Sequence, residues 1–225
     1  MPPTFRLPGR GAITPVDPAS EPTRYYYWPV VGWFYRKRLC MIVDRLAGRR
    51  HRRLLEVAYG SGIFLPSLAP LCDALHGIDR HRHGVKVRHA LRQLDVRAQI
   101  LPADALALPY RDAAFDAVVS VSMLEHLTDP GLAVAEMARV LTPGGTLALG
   151  FPCRNPWMDA FFRLLGFNPR EIHPSSHRDI LDAVDRLGLA ADVEAFPRWL
   201  PLDFALYCVC TIHGPETRAA QASHG

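Results

Sequence analysis

Residues 53–65 read Arg-Leu-Leu-Glu-Val-Ala-Tyr-Gly-Ser-Gly-Ile-Phe-Leu, and this stretch decides the fold. Its apolar half, residues 54–57, has the composition of a strand that is buried on both faces, as strands of parallel sheets are. Gly60 and Gly62 follow, and a residue without a Cβ accepts a positive φ and lets a ligand come close to the backbone. The stretch therefore predicts a strand, a tight turn and a helix whose free N–H groups point at a ligand.

An acidic residue, Glu56, lies at the carboxyl end of this predicted strand. A carboxylate here suits a ligand that offers a positive charge or hydrogen-bond donors, and it would repel a pyrophosphate. The glycine spacing alone is weak support for a ligand site, because ordinary turns between a strand and a helix look similar. The remaining sequence must decide whether this turn binds a ligand.

Strands and helices alternate along most of the chain, which is typical of parallel strands covered by helices on both faces. The predicted strands of this part cover residues 54–57, 74–79, 99–101, 115–121 and 146–151. The predicted helices cover residues 31–46, 62–71, 83–94 and 131–141, the last one closed by Thr142 to Gly145.

The pattern changes after residue 151. An aromatic helix is predicted over residues 157–165, and Ser175 or Ser176 is placed to cap a helix that ends near Leu187. An antiparallel pair of strands is then predicted at residues 192–196 and 205–212. We therefore predict an α/β fold with a doubly wound, seven-stranded, mostly parallel sheet and an antiparallel last strand.

The composition, 49% hydrophobic and 21% charged over 225 residues, is that of an ordinary globular domain. Residues 25–214 are predicted to form this domain, with an aromatic helix or lid at 25–47. The proline-rich residues 1–24 predict a flexible tail, and residues 215–225 a frayed one. No apolar stretch approaches the roughly 20 residues of a membrane span. The N-terminal residues lack the apolar centre of a signal peptide, so a cytoplasmic location is expected.

The formal net charge of +4 comes almost wholly from arginine. The basic clusters at residues 36–38 and 49–53 either form a solvated face or meet phosphate or an anionic membrane surface. The aromatic residues before the first cluster, including Tyr27 and Trp28, either cap the core, cover an apolar ligand or make a weak contact with a membrane surface. No appended nucleic-acid module is evident, so no nucleic-acid partner is expected. The oligomeric state stays open.

The five cysteines are scattered and odd in number, which argues against a disulfide framework, and they lack a recognised zinc spacing. His173 and His177 are four residues apart, but Pro174 separates them and no clear third ligand is present. No metal site is therefore predicted.

A second acidic residue, Asp79, ends the second predicted strand about 20 residues beyond the glycine turn. Nucleotide-binding α/β domains place an acid here because a carboxylate can accept hydrogen bonds from both hydroxyls of a ribose. The alternative is an N-cap for the following helix.

Four blocks of sequence, together with Leu-Glu-His-Leu at residues 124–127, resemble the class I S-adenosylmethionine-dependent methyltransferases of the small-molecule group. The blocks are residues 54–62, 77–79, 103–120 and 139–147. Each block is modest evidence, but four in order at the right spacing are specific. The resemblance covers residues 54–151 and implies a Rossmann-like methyltransferase fold that uses S-adenosylmethionine.

The resemblance also implies roles for the matching residues. Glu56 and the glycine turn would hold the methionine end of the cofactor, Asp79 the ribose diol, and Asp104 the adenine amino group. The complete set of implied cofactor-binding residues is Glu56, Ala58, Gly60, Gly62, Asp79, Asp104, Ala105 and Ser120.

One departure from the family pattern affects the glycine turn. Ala58 stands where the family usually has its first glycine, and Tyr59 replaces a small residue. This departure keeps an alternative function open, that of a non-catalytic binding or scaffold protein with the methyltransferase fold. A nicotinamide-dependent dehydrogenase is the other alternative, against which Glu56 and the incomplete G-x-G-x-x-G pattern argue.

Methyl transfer chiefly requires that the acceptor is aligned and water is excluded, and a base helps only when the acceptor loses a proton. His126 is the candidate catalytic base, the alternative being local packing within the signature turn. The apolar and aromatic character of the predicted substrate pocket favours a small apolar or aromatic acceptor. The residues assigned to that pocket are Tyr27, Trp28, Trp157, His173 and His177.

Overall fold

The computed structural model describes residues 5–13, 22–156, 159–160, 168, 171 and 173–214. Seven strands are found: β1 His51–Val57, β2 Cys72–Asp79, β3 Gln99–Pro102, β4 Phe115–Val121, β5 Leu141–Pro152, β6 Ala191–Phe196 and β7 Tyr207–His213. The main helices are α1 Pro29–Leu46, α2 Leu65–Leu68, α3 Gly84–Gln93, α4 Pro130–Arg139 and α5 His177–Arg186. Short 3₁₀ helices cover Pro22–Tyr27, Ala69–Leu71, Leu124–His126 and Leu202–Phe204.

The strands form one seven-stranded sheet in the order β3-β2-β1-β4-β5-β7-β6. Strands β1 to β5 pair in parallel, whereas β7 pairs antiparallel with both β5 and β6. The predicted α/β fold with a mostly parallel sheet and an antiparallel last strand is confirmed. Because the carboxyl ends of β1, β2 and β4 meet at one edge, the loops after these strands are brought together there.

Helices cover both faces of the sheet, and each face has its own core. Leu54 of β1 packs on the side of α1 and α3, whereas Leu55 and Val57 pack on the side of α4 and α5. Glu56 shares the face of Leu54, because side chains alternate along a strand. Its carboxylate therefore lies on the face of the sheet that α1 and α3 cover.

The helix after the glycine turn is shorter than predicted. Instead of a helix over 62–71, α2 begins at Leu65 and passes into a 3₁₀ turn at Ala69. Gly62 has φ +78°, which is incompatible with a right-handed helix, so the helix begins later. Pro70 lacks the N–H that a continuing α-helix requires.

The residues predicted to close α4 belong instead to β5, which begins at Leu141. Gly144 adopts φ +67° within this segment, and the register of β5 against β4 shifts between Phe115 and Ala117. The glycines therefore allow an irregular strand start rather than a helix cap.

The predicted flexible tail is wrong for residues 5–13, which pack on the domain. The Phe5 ring lies 6.5 Å from the rings of both Tyr26 and Phe64, and Ile13 is buried. The Arg6 N–H also donates to Ser67 Oγ at 2.9 Å. Residues 215–225 and most of the predicted aromatic helix at 157–165 lie outside the described residues.

The C-terminal helix has the cap that the sequence predicted. Ser176 Oγ accepts from the Asp179 N–H, and the Asp179 carboxylate accepts from the Ser176 N–H, which is a capping box. This cap fixes the start of α5 and so the path of residues 173–176.

Candidate functional site

The glycine turn is held by Asp79 at the carboxyl edge of the sheet. The Gly60 N–H donates to Asp79 Oδ2 at 2.8 Å, and the His81 N–H donates to Asp79 Oδ1 at 3.1 Å. The predicted N-cap role is not seen, since α3 begins at Gly84 with no side-chain cap. Asp79 therefore joins the turn after β1 to the loop after β2.

Ala58 adopts φ +64°, a left-handed conformation that an alanine tolerates at a cost of roughly 1–2 kcal/mol. Gly60 and Gly62 are also left-handed, with φ +53° and +78°. The turn thus keeps its backbone shape even though its first residue has a methyl group.

The bulk of Tyr59 is directed at β2. A Cβ on Gly77 would lie 2.9 Å from the Tyr59 ring, so the absence of a side chain at Gly77 is what accommodates the tyrosine. The His81 ring packs edge-on against Tyr59 at 5.1 Å. Burial, followed by the nearby Asp79 carboxylate, raises the pKa of Tyr59 to about 12, so the phenol stays neutral.

A cleft of about 670 Å³ opens beside this turn. Its walls include Tyr59, His81, Ala103 and Asp104. Asp104 Oδ1 accepts from the Leu106 N–H at 3.0 Å, and the side chain is 44% exposed. The implied adenine-binding residue therefore presents a carboxylate to an open cleft, with Ala105 buried behind it.

Two buried polar groups near the carboxyl ends of β1 and β4, one on each face of the sheet, lack hydrogen-bond partners among the described residues. Glu56 is 3% exposed and Ser120 is 1% exposed, yet Glu56 Oε2 and Ser120 Oγ are unpartnered. Burial, followed by the Asp79 charge, raises the pKa of Glu56 well above its usual range. Buried polar groups are normally satisfied, so Glu56 is available to a donor such as the ammonium group of an amino acid, and Ser120 is available to a ligand group on the other side of the sheet edge.

A buried arginine, Arg38, completes this end of the site. Its Nη1 donates to Ser122 Oγ at 3.0 Å, and its guanidinium lies over the Tyr35 ring at 4.1 Å and near the Tyr207 ring at 5.3 Å. Arg38 Nε has no hydrogen-bond partner among the described residues. The interpretation of residues 36–38 as a solvated face is wrong for Arg38, which can take an anionic group.

The Leu-Glu-His-Leu turn brings together residues from two distant segments. Ligand atoms of Glu125, His126 and His173 all lie within 4.8 Å of one another, and the two imidazole rings are 5.1 Å apart. Ser175 links the segments, because its N–H donates to the Glu125 carbonyl at 3.3 Å and its Oγ to the Leu127 carbonyl at 2.6 Å.

Burial changes the ionisation of this cluster. The pKa of Glu125 is raised to about 7, with burial as the largest cause. The pKa of His173 is lowered to about 4 by burial, then by His126 and Arg154, so its imidazole is neutral at pH 7. Sequence reasoning identified both histidines but treated Glu125 only as part of the signature.

His177, which was assigned to the substrate pocket, is engaged by two neighbouring residues. Its Nδ1 accepts from the Arg154 N–H at 3.1 Å, so its Nε2 carries the proton that is donated to Asp203 Oδ1 at 3.2 Å. Both ring nitrogens of this buried side chain are engaged, and His177 anchors the start of α5 instead.

The N-terminal aromatic residues differ in burial and in hydrogen-bond partners. The Tyr27 hydroxyl donates to the Pro8 carbonyl at 3.0 Å, and Trp28 is 49% exposed. Tyr26, which the prediction omitted, is the buried aromatic residue whose hydroxyl lies 3.5 Å from Arg38 Nη2. Trp157 lies outside the described residues.

The comparisons with known proteins agree with this geometry. Residues 55–149 match a family model described as a methyltransferase domain. The 27-O-demethylrifamycin SV methyltransferase of Amycolatopsis mediterranei is 33% identical over 139 residues, which cover 58% of this chain and 51% of that protein. The ubiquinone biosynthesis O-methyltransferase of Alkalilimnicola ehrlichii is 33% identical over 132 residues, which cover 57% of this chain and 53% of that protein. The chain spans about half the length of these curated relatives.

Among solved structures, the chain is similar to the N-methyltransferase NodS from Bradyrhizobium japonicum in complex with S-adenosyl-L-homocysteine. The TM-score is 0.63 at 21% identity, and the match covers 87% of this chain and 92% of that one. No helix in the described part of the chain combines the length and the apolar composition that spanning a membrane would require.

Proposed function

We propose that this chain is a class I S-adenosylmethionine-dependent methyltransferase that methylates an O, N or C atom of a small apolar or aromatic molecule, because residues 55–149 match a family model described as a methyltransferase domain. The observation that carries the proposal is the pair of buried, unpartnered oxygens of Glu56 and Ser120 beside the Asp79-held turn. These groups fit a ligand that is positively charged and rich in hydrogen-bond donors, and no phosphate-binding group is needed. This character distinguishes the site from that of a nicotinamide enzyme.

Each part of the cofactor has a matching group in this site. Glu56 would accept from the ammonium of the methionine moiety, and the Arg38 guanidinium would donate to its carboxylate. Asp79 would accept from the ribose hydroxyls, and Asp104 from the adenine amino group. The cofactor supplies an electrophilic methyl group on a positively charged sulfur.

The chain contributes to the reaction mainly by alignment. The buried Glu56, Arg38 and Tyr26 would exclude water from the methionine end and fix the methyl group in one direction. For an acceptor that must lose a proton, His126 is the proposed base, since its imidazole lies in the loop directly after β4. His126 belongs to the Glu125–His173 cluster, so the acceptor would lie on that side.

Binding of S-adenosylmethionine by the purified chain tests this function directly. We expect one cofactor per chain with an affinity in the micromolar range, roughly 1–100 µM, measured by isothermal titration calorimetry. NADH should show no binding in a parallel fluorescence titration. A chain that unfolds cooperatively but binds no S-adenosylmethionine would favour the non-catalytic scaffold function instead.

We propose a weak membrane-surface contact at the exposed start of α1. Val30 is 82% exposed and Trp33 is 55% exposed, while Arg38 of the same helix reaches the site. Exposed tryptophan and valine next to basic side chains suit the interface of an anionic bilayer. We propose that this surface lets the enzyme collect a lipophilic acceptor from a membrane.

Substitution of Val30 with aspartate should weaken vesicle binding. Burial of one valine stabilises by about 1.5–3 kcal/mol, so we expect the bound fraction to fall about tenfold in flotation with phosphatidylglycerol vesicles. Leu132→Asp is the matched control, because Leu132 is 59% exposed on α4. Equal flotation of the two variants would refute the contact.

A further inference from the structure

Three potential metal ligands converge at the end of the site that faces the acceptor. Glu125 and His126 lie in the 3₁₀ turn after β4, and His173 comes from the segment before α5. Their ligand atoms lie within 4.8 Å of one another. Ligand atoms around a tetrahedral zinc ion with bonds of about 2.1 Å lie about 3.4 Å apart, so small side-chain rotations would complete the geometry.

The buried carboxylate gives independent support for a cation. Glu125 is 3% exposed, and its Oε2 has no hydrogen-bond partner among the described residues. A carboxylate that is buried without such a partner is costly, and a metal ion is one of the few partners that offsets the cost. The charge of Arg38 lowers the pKa of Glu125. The Arg38 guanidinium, however, donates its hydrogen bond to Ser122 and not to the Glu125 carboxylate.

The donor set indicates which metals fit. Two imidazole nitrogens and one carboxylate oxygen suit Zn²⁺, Co²⁺ or Fe²⁺, whereas Mg²⁺ prefers oxygen ligands and water. Three protein ligands leave a coordination position open, as in catalytic zinc sites. His126 is exposed, so the open position can be reached from outside.

We propose that Glu125, His126 and His173 bind a divalent transition-metal ion, most suitably Zn²⁺, and that this ion holds the acceptor. The role in catalysis rests on the proposed function, whereas the binding site itself does not. In that role His126 is a ligand and no longer the base: the ion coordinates an acceptor hydroxyl and lowers its pKa, so the proton leaves to water. The oxygen then forms a bond to the methyl carbon as the carbon–sulfur bond breaks, and the sulfur keeps the electron pair.

The site can be tested by metal binding alone. Untagged, chelator-treated protein should bind one Zn²⁺ per chain in isothermal titration. Co²⁺ should give the intense visible absorption of a tetrahedral site. We expect His126→Gln, His173→Gln and Glu125→Gln each to weaken Zn²⁺ binding by at least about 10-fold, the loss that even outer-shell changes cause.

A matched control separates this site from adventitious binding to surface histidines. His89 lies on α3, exposed and hydrogen-bonded to Gln93, so His89→Gln should leave Zn²⁺ affinity unchanged. Zn²⁺ binding that survives both His126→Gln and His173→Gln, or no stoichiometric binding by the parent, would overturn the proposal. The metal titration contains no cofactor. If the protein binds Zn²⁺ but not S-adenosylmethionine, the metal site is supported and only the proposed reaction is refuted.

Discussion

Replacing Asp79 with alanine will reduce the affinity for S-adenosylmethionine by about 100-fold or more. Asp79 holds the Gly60 N–H at 2.8 Å and the His81 N–H at 3.1 Å, which places its carboxylate between the glycine turn and the loop before α3. Hydrogen bonds to a charged group contribute about 1.5–3 kcal/mol each. The loss of two bonds to a ribose diol, at 1.4 kcal/mol per tenfold change, gives about this effect. Isothermal titration measures it.

Two further variants make this experiment decisive. Asp73→Ala removes a carboxylate from the opposite end of the same strand, where Asp73 is exposed and bonded to Arg50, so its cofactor affinity should match that of the parent. Asp79→Asn keeps an acceptor for the Gly60 N–H. It replaces Asp79→Ala in the titration if the alanine variant melts at a much lower temperature. An Asp79→Ala protein that remains folded and binds normally would remove Asp79 from the site.

The fold was predictable because its signals are local. The apolar runs of β1, β2 and β4 and the polar turns between them are continuous in sequence. The position of Asp79 was also predictable, because the end of β2 necessarily lies beside the turn after β1 in a parallel pair. These features require no knowledge of side-chain packing.

Arg38 could not be predicted from its neighbours in the sequence. It stands in a basic triplet that resembles a solvated face, and it is buried because α1 lies across β4, β5 and β7. Its guanidinium is surrounded by phenol rings from both α1 and β7, which meet only in the folded chain. Tyr26, and not Tyr27, contacts Arg38 for the same reason. Adjacent residues of a helix point in different directions, and only the packing of the folded chain determines which of them is buried.

The pairing of His126 with His173 likewise depends on tertiary contacts. Both were identified as candidates, but the sequence associated His173 with His177, four residues away. The structure separates that pair because His177 is bonded to Arg154 and Asp203, and it joins His173 to the turn after β4 through Ser175. The contact between His126 and His173 therefore could not be read from spacing along the chain.

Replacing Arg38 with methionine will weaken S-adenosylmethionine binding by about 10–100-fold. The affinity for a cofactor fragment that lacks the amino-acid part of the methionine moiety will stay the same. The guanidinium would donate a charge-assisted hydrogen bond to the cofactor carboxylate, worth about 1.5–3 kcal/mol. 5′-Methylthioadenosine keeps the ribose and adenine but has no carboxylate, so its affinity should not change. Methionine has an apolar side chain of similar length that can keep the packing of the arginine stem, and the melting temperature of the variant shows whether the fold is kept.

The comparison of two ligands separates a direct contact from a packing defect. Lys37→Met is the matched control. Lys37 lies on the same helix, but its ammonium lies 5.9 Å from the centre of the Phe196 ring, away from the buried cluster. Asp79→Ala should weaken both ligands, whereas Arg38→Met should weaken only the complete cofactor. Equal losses for both ligands in Arg38→Met would mean that the arginine supports the fold of the site rather than the carboxylate. The two variants together therefore assign the ribose end and the methionine end of the site independently.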